Sequence, residues 1–389
     1  MYAQFKFHVG YYDHLHSVPA VNFQMNRWIN YLGDSALDEL QAIAPKLTDF
    51  SSYRREFLAL AEKALAEGRK LHAAYYFRSA EFFMWRDDPA KQPTRQKFIQ
   101  LVLEHYGIKE SDSYAIPYQD GAIWANLFAY RFTPTKPIDT LVMFGGFDSY
   151  IEEFLPILLA IRDRGYDVVC FEGPGQGRVL NESGVPMMPN WHKPVKSVLD
   201  YFNLTDITLL GISMGGCLVI RAAAHESRAR RIIAYDVLFD MGNMRRSVSP
   251  LAYFVLHSLF LLKAAPLYNS ILRRAMKASL LVDWAVNQGM HIHGARTPFE
   301  YAQKNTAYRT GDISQLLQQD VLLLAGTEDF GIPLAQFYKQ IEALKNVRSL
   351  TARMFSRAEQ AQNHCQVGNL GLAIDFITNW IEFTLQHRS

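Results

Sequence analysis

The spacing of apolar residues changes near Ser113 and divides the chain into two differently patterned parts. Before Ser113, apolar positions recur at the three- and four-residue intervals of a helix face. These intervals predict helices over 22–32, 51–67, 70–85 and 95–106. We therefore expect residues 1–113 to form a helical N-terminal cap segment.

Beyond Ser113, short apolar runs of strand length alternate with helical stretches. The runs predict strands over 114–118, 123–132, 140–144, 167–171, 207–210, 232–237, 321–325 and 350–355. Strands that alternate with helices are typical of a mostly parallel sheet with helices on both faces. The pattern therefore predicts an α/β fold whose core is divided between residues 114–241 and 315–389.

The alternation stops over 242–314, where the sequence is helical and rich in aromatic residues. This stretch is too long for a loop in a compact core. We expect an inserted helical lid over the strand ends, because ligands bind there in open α/β sheets. Its large apolar residues are the candidates for contacts with a substrate, chiefly Tyr253, Phe254, Phe260 and Trp284, with Leu259 and Tyr301 beside them.

The amino-acid composition argues against several classes of protein. Hydrophobic residues make up 49% of the chain and charged residues 20%, which suits a globular core. A net charge of +2 gives no reason to expect a nucleic-acid partner. Three cysteines and an N-terminus without a signal-peptide pattern predict a cytoplasmic protein with reduced thiols. The longest apolar run, 251–262, is too short to span a bilayer, and the sequence leaves a homodimer open.

The strongest chemical signal is the segment 207–217, ITLLGISMGGC. A strand runs into Gly-Ile-Ser-Met-Gly and a helical stretch follows, which is the context of a G-x-S-x-G nucleophile elbow. The sharp turn exposes the hydroxyl of Ser213 beyond the end of the strand. We expect Ser213 to be a nucleophile, although five residues of this pattern also occur by chance.

A serine hydroxyl needs a base to accept its proton and an acid to orient that base. Asp329 follows the strand at 321–325, and His364 follows the strand at 350–355, so the order Ser, Asp, His is preserved. We expect His364 to be the base and Asp329 the acid, with Glu328 as the rival acid. If neither serves, Asp236 or Asp240 after the preceding strand could, and a second acid is left open.

Acyl transfer also needs two backbone amides around the developing oxyanion. One is expected from Met214, directly after the nucleophile. The other is expected from the loop after the strand 140–144, where Phe147 is the first choice and Gly146 the second.

Together these residues resemble the α/β-hydrolase superfamily over 114–389. The loop 171–177, FEGPGQG, the segment 145–148 and the helical stretch 73–89 are similar to a narrower branch. That branch includes 2,6-dihydroxypseudooxynicotine hydrolase, fungal pigment hydrolases that shorten polyketide chains, and fermentation-respiration switch esterase-like proteins. The resemblance implies hydrolysis of a carbon–carbon bond beside a ketone, or of an ester, in an aromatic or polyketide-like small molecule, without a cofactor. Glu172 stands where the branch often has Asp, and the lid is longer and more apolar than in the branch. The identity of the relatives' substrates is therefore not carried over to this chain.

Two other functions remain open. One is a peptidase or aminopeptidase of the prolyl-oligopeptidase type, although no propeller-like repeat precedes the core. The other is a non-catalytic binding protein that uses the same fold. We expect no metal, because His291 and His293 lack partners at ligand spacing.

Overall fold

The structure is a computed structural model, and it describes residues 6–242 and 250–387. Residues 243–249 of the expected lid lie outside the described residues. The chain divides into two compact units. The first holds the residues up to Ser113 together with Ala358–Ala361 and Gln366–Ile374, and the second holds the remainder.

The first unit is helical. Its helices are α1 (Pro19–Leu32), α2 (Leu37–Ile43), α3 (Phe50–Ala66), α4 (Lys70–Phe82) and α5 (Lys91–Tyr106). Helix α3 begins at a capping box, in which Asp49 accepts a hydrogen bond from the Ser52 amide at 2.7 Å. The indole of Trp28 is fully buried, and the rings of Tyr31 and Tyr75 stack 4.6 Å apart. Aromatic packing therefore holds the helices of this unit together.

The second unit is built on one eight-stranded sheet. Its strands are β1 (Tyr114–Asp120), β2 (Ile123–Phe132), β3 (Thr140–Phe144), β4 (Asp167–Glu172), β5 (Ile207–Ile212), β6 (Ala229–Tyr235), β7 (Asp320–Gly326) and β8 (Ser349–Phe355). Their spatial order is β1-β2-β4-β3-β5-β6-β7-β8. The pairs β1–β2 and β2–β4 are antiparallel, whereas all pairs from β4 to β8 are parallel. The sheet confirms the predicted α/β fold.

Helices connect these strands. They are α6 (Leu155–Asp163), α7 (Gly177–Ser183), α8 (His192–Tyr201), α9 (Gly215–Ala223), α10 (Pro250–Leu261), α11 (Ala265–Ala278), α12 (Leu280–Ile292), α13 (Pro298–Asn305), α14 (Ala335–Ala343) and α15 (Leu370–Gln386). Strands β4, β5 and β7 are buried along their whole length, so the centre of the sheet forms the core. Helices α10 to α13 occupy the insertion between β6 and β7. No helix of the described residues is long and apolar enough to cross a membrane.

Candidate active site

Ser213 lies in the turn between β5 and α9, at the carboxyl end of the central strand. Its φ of 62° is in the left-handed region, which is costly for a residue with a Cβ. Gly211 makes the close approach of strand and helix possible, since a Cβ there would lie 2.0 Å from the Gly215 carbonyl oxygen. The sequence thus forces a sharp turn that holds the Ser213 hydroxyl beyond the end of β5.

His364 links the hydroxyl of Ser213 to a carboxylate. Its Nε2 lies 2.8 Å from Ser213 Oγ, and its Nδ1 lies 2.7 Å from Asp329 Oδ2. Imidazole protonated at Nδ1 donates to the carboxylate and leaves Nε2 free to accept the hydroxyl proton. The structure brings together the three side chains that the sequence singled out, in the geometry that general-base activation of a serine requires.

Asp329 is fixed by its own loop after β7. Its Oδ1 accepts hydrogen bonds from the amides of Gly331 at 2.7 Å and Ile332 at 2.8 Å, and the side chain is buried. The rival Glu328 is exposed and forms an ion pair with Arg357. Of the two neighbouring acids, only Asp329 is in contact with His364.

A second carboxylate, that of Asp236, also contacts His364. Asp236 follows β6, is buried, and places Oδ2 3.2 Å from His364 Nδ1. The same Oδ2 accepts a hydrogen bond from the Cys365 amide at 2.7 Å. The sequence offered Asp236, like Asp240, as a substitute for Asp329 or as a second acid, and did not choose between them. Asp236 follows β6, which lies between β5 and β7 in the sheet. That position at the carboxyl end of a neighbouring strand is the signal that could have placed it beside His364.

The two carboxylates have opposite pKa shifts. Burial raises the pKa of Asp236, and the nearby charge of Asp329 raises it further. Burial also opposes ionisation of Asp329, but the charge and hydrogen bond of His364 outweigh it and lower the pKa of Asp329. For His364, burial works against the imidazolium, yet the charge of Asp329 and the hydrogen bonds of both carboxylates raise its pKa well above the usual value. Of the two carboxylates beside His364, Asp329 is therefore the easier to ionise.

The loop after β3 lies against the elbow. A Cβ on Gly146 would come within 2.7 Å of the Met214 amide nitrogen, so only glycine allows this approach. Among the described residues, the amides of Phe147 and Met214 donate no hydrogen bond. Donors without a partner beside a nucleophile are available to an incoming oxyanion. Gly146, the second choice for this donor, precedes Phe147 in the same loop.

Gln176 supports this loop from the FEGPGQG segment. Its side-chain Nε2 donates to the carbonyl oxygen of Gly145 at 2.7 Å, and its Oε1 accepts from the Gly173 amide at 3.1 Å. Glu172, at the end of β4, accepts hydrogen bonds from the amides of Ile151 and Arg178. The segment therefore braces the loop after β3, a role that the sequence motif did not reveal.

The insertion contacts the same loop through α12. The ring of Trp284 packs edge-on against Phe147 with centroids 5.7 Å apart, and Gln288 Nε2 donates to the Phe147 carbonyl oxygen at 2.9 Å. Tyr253 and Phe260 instead line a cavity of about 430 Å³ within the insertion, together with Tyr301. Phe254 is 68% exposed and is not among the residues that line this cavity. Of the four substrate-contact candidates, Trp284 is the one that packs against Phe147 in the loop after β3.

One group of side chains has the composition of a metal site. Within the described residues, Asp236, His364 and Cys365 offer ligand atoms within 4.8 Å of one another. A cation there would compete for the Nδ1 that already binds Asp329. His293, considered from the sequence, places Nδ1 3.0 Å from the Gly289 carbonyl oxygen, and burial lowers its pKa to about 4. It is a neutral histidine of the packed interior.

Known proteins resemble this chain in sequence and in fold. The sequence profile of the alpha/beta hydrolase fold family matches residues 139–355. The chain is 27% identical over 388 residues to hydrolyase poxO of Penicillium oxalicum, covering 88% of this chain and 91% of the relative. It is 26% identical to 20-hydroxy-prefusarin hydrolase FUS2 of Gibberella moniliformis, over 62% of this chain and 63% of the relative.

Among solved structures, that of 2,6-dihydroxy-pseudo-oxynicotine hydrolase is similar with a TM-score of 0.57 at 19% identity. The superposition covers 91% of this chain and 87% of that one. At this identity the likeness concerns the fold alone. The match of the family profile to more than half of the sequence shows that the chain belongs to the α/β-hydrolase fold family, and it is a hydrolytic enzyme.

Proposed function

We propose that this enzyme is a serine hydrolase that cleaves a carbon–carbon bond beside a ketone in an aromatic or polyketide-like small molecule. The observation that carries the proposal is the continuous hydrogen-bonded chain from Ser213 Oγ through His364 to Asp329 Oδ2, with steps of 2.8 and 2.7 Å. In this proposal Ser213 is the nucleophile, His364 the base and then the acid, and Asp329 the residue that orients His364.

The first half of the reaction forms an acyl-enzyme. His364 Nε2 takes the Ser213 hydroxyl proton while Oγ bonds to the carbonyl carbon of the substrate. The oxyanion that results accepts hydrogen bonds from the Met214 and Phe147 amides. When the tetrahedral adduct collapses, the bond to the leaving group breaks, its electron pair departs with that group, and His364 Nε2 returns the proton to it.

The second half releases the product. A water molecule gives a proton to His364 Nε2 and adds its oxygen to the acyl carbon. Collapse of this second adduct breaks the bond to Ser213 Oγ, which regains its proton from His364. The products are a carboxylic acid and the protonated leaving group, so no cofactor is required.

The leaving group separates the two reactions that this machinery could perform. A carbon leaving group must depart as a stabilised carbanion, so a second carbonyl or a phenol should flank the broken bond. An ester leaves as an alkoxide that His364 protonates, and it needs no such stabilisation. The carbon–carbon reaction is supported by the aromatic ring of Trp284, which packs against Phe147 in the loop after β3. An aromatic ring at this place suits a flat substrate. Two similar proteins are by name hydrolases of single compounds, 20-hydroxy-prefusarin for FUS2 and 2,6-dihydroxy-pseudo-oxynicotine for the solved structure.

The nucleophile is tested with a fluorophosphonate, whose adduct is mapped by peptide mass spectrometry. We expect labelling at Ser213, complete loss of labelling in Ser213→Ala, and normal labelling in Ser183→Ala, a change at an exposed serine of α7. Labelling elsewhere with Ser213 untouched would contradict the proposal. A well-folded wild type that reacts nowhere would favour a non-catalytic binding protein.

The reaction is tested by offering aromatic 1,3-diketones and matched aryl esters to the wild type and to Ser213→Ala. Products are identified by mass spectrometry. Cleavage of the diketone into a carboxylic acid and a methyl ketone, absent in the variant, is the expected result. Ester turnover without diketone cleavage over a broad panel would make the enzyme an esterase.

A further inference from the structure

Helices α10 and α11 expose an unusual number of apolar side chains. Leu251 is 73% exposed, Leu261 65%, Leu262 77% and Leu267 54%. With Phe254 and Val255, these four leucines form what we term the apolar hairpin surface. Isolated exposed leucines are ordinary, but a contiguous group on one helical hairpin indicates a surface that contacts something apolar.

The spacing of these residues places them on one side of α10. Within α10, Phe254 and Val255 lie three and four residues after Leu251, which are intervals that return to one helix face. Leu261 and Leu262 stand at the turn that leads into α11, where Leu267 is exposed one turn later. The apolar hairpin surface therefore begins in the first turns of α10 and continues at the turn between the two helices.

Positively charged side chains accompany this surface. Residues 250–282 contain no Asp and no Glu, whereas Lys263, Arg273, Arg274 and Lys277 are all exposed. Four positive charges in this segment exceed the net +2 of the whole chain. Within the described residues, none of the four cations forms an ion pair or donates a side-chain hydrogen bond. Arg274 and Lys277 share the exposed face of α11 with Leu267, seven and ten residues further on.

We propose that the apolar hairpin surface and its four cations bind the surface of an anionic lipid bilayer. Apolar side chains enter the boundary between headgroups and acyl chains, and lysine and arginine keep their charges at the headgroups. The negative headgroups of anionic lipids complement the four cations, which have no carboxylate partner within residues 250–282. The hairpin lies in the plane of the membrane surface, because the 12 residues of α10 are too few to cross it.

A second copy of the chain fits the same surface less well. A two-fold dimer built on this hairpin would bring each patch against its own kind. The four cations of one copy would then face the same four of the other, with no carboxylate in the segment to separate them. The inference is independent of the chemistry proposed for Ser213, and it would place the enzyme where apolar substrates accumulate.

The test is flotation of the full chain with lipid vesicles. Vesicles of phosphatidylcholine alone are compared with vesicles that contain about one third phosphatidylserine, at low and high salt. We expect binding to the anionic vesicles, weak binding to the neutral ones, and release by salt. Leu261→Ser with Leu262→Ser should weaken binding roughly tenfold or more. Arg273→Gln with Arg274→Gln should weaken it about fivefold for each charge removed.

Matched controls use surface residues elsewhere in the same unit. Trp124→Ser removes an exposed aromatic residue, and Lys339→Gln with Lys345→Gln removes two exposed cations, so neither should change vesicle binding. Turnover of a water-soluble ester and the melting temperature report that the hairpin variants remain folded. Failure of the wild type to bind anionic vesicles would overturn the proposal. It would also be overturned if light scattering showed a dimer that the two leucine substitutions convert to a monomer, without vesicle binding.

Discussion

The side-chain amide of Gln176 donates a hydrogen bond to the carbonyl oxygen of Gly145, 2.7 Å away, and so joins the loop after β4 to the loop after β3. Both groups are buried. Phe147, whose amide we propose as an oxyanion donor, lies two residues beyond Gly145. The position of that donor therefore depends on a glutamine that does not itself contact the proposed reaction centre.

Replacing Gln176 by alanine should reduce kcat much more than it changes KM. The substitution leaves the Gly145 carbonyl without its buried partner, so the loop can shift and misplace the Phe147 amide. A misplacement of about 1 Å in a positioned group costs roughly 10²-fold in rate. The measurement is steady-state kinetics on an activated ester, with the melting temperature recorded for each variant.

Gln340→Ala is the matched control for this change. Gln340 is also a buried glutamine of the second unit, and its side chain bonds Thr310 at 2.6 Å and Ser314 at 2.8 Å. The Gln340→Ala variant should lose about as much stability as Gln176→Ala but keep its kcat. Equal losses of kcat in both variants would mean that Gln176 acts through stability alone.

The fold followed from the sequence because its core strands are short apolar runs bounded by polar residues. The predicted strand 140–144 coincides with β3, and the predicted strand 123–132 coincides with β2. Helices α7, α8 and α14 were not predicted. Helix α7 has only seven residues, and α8 has ten with Pro194 in its first turn, so in each the apolar spacing covers too short a stretch to identify a helix.

The site could be predicted where a strand end gives a residue its place. Ser213, Asp329 and His364 follow β5, β7 and β8, and parallel strands bring their carboxyl ends to one edge of the sheet. The supporting residues could not be predicted in this way. Gln288 reaches Phe147 across 141 positions of the chain, and no local pattern specifies such a contact. The exposure of Phe254 could not be predicted either. Because α10 is apolar on all sides, its sequence does not indicate which side of the helix faces solvent.

Asp329→Asn should lower kcat by about 10⁴, the loss seen when the acid of such a triad is converted to an amide. The amide cannot stabilise the imidazolium, and it favours the wrong tautomer of His364. Glu328→Gln, next in the chain, removes only an exposed ion pair with Arg357 and should leave kcat nearly unchanged. Both variants are compared on the same ester; similar mild effects would transfer the orienting role to another carboxylate.

Trp284→Ala should raise KM for aromatic substrates about threefold to tenfold, the contribution expected of one aromatic contact. The ring lies against Phe147, next to the place we propose for the substrate carbonyl. Phe254→Ala removes a side chain that is 68% exposed and should leave the KM for soluble substrates unchanged. If both variants behaved alike across a panel of aryl and alkyl esters, Trp284 would not contact the substrate.

Asp236→Asn should move the acidic limb of the pH profile of kcat/KM to lower pH. His364 must be neutral to accept the Ser213 proton, and its pKa is raised well above 6.5, so activity should rise with pH through that raised value. Burial acts against the imidazolium, Asp329 supplies the largest opposing effect, and the Asp236 carboxylate 3.2 Å from Nδ1 raises the pKa further. Asparagine can still accept the Cys365 amide hydrogen bond but carries no charge, so His364 should lose its proton at lower pH. Asp240→Asn, whose carboxylate accepts from the Gly242 amide instead, is the control and should leave the limb in place. An unchanged limb in Asp236→Asn, with normal folding, would mean that Asp236 stays neutral throughout and only holds the loop at Cys365.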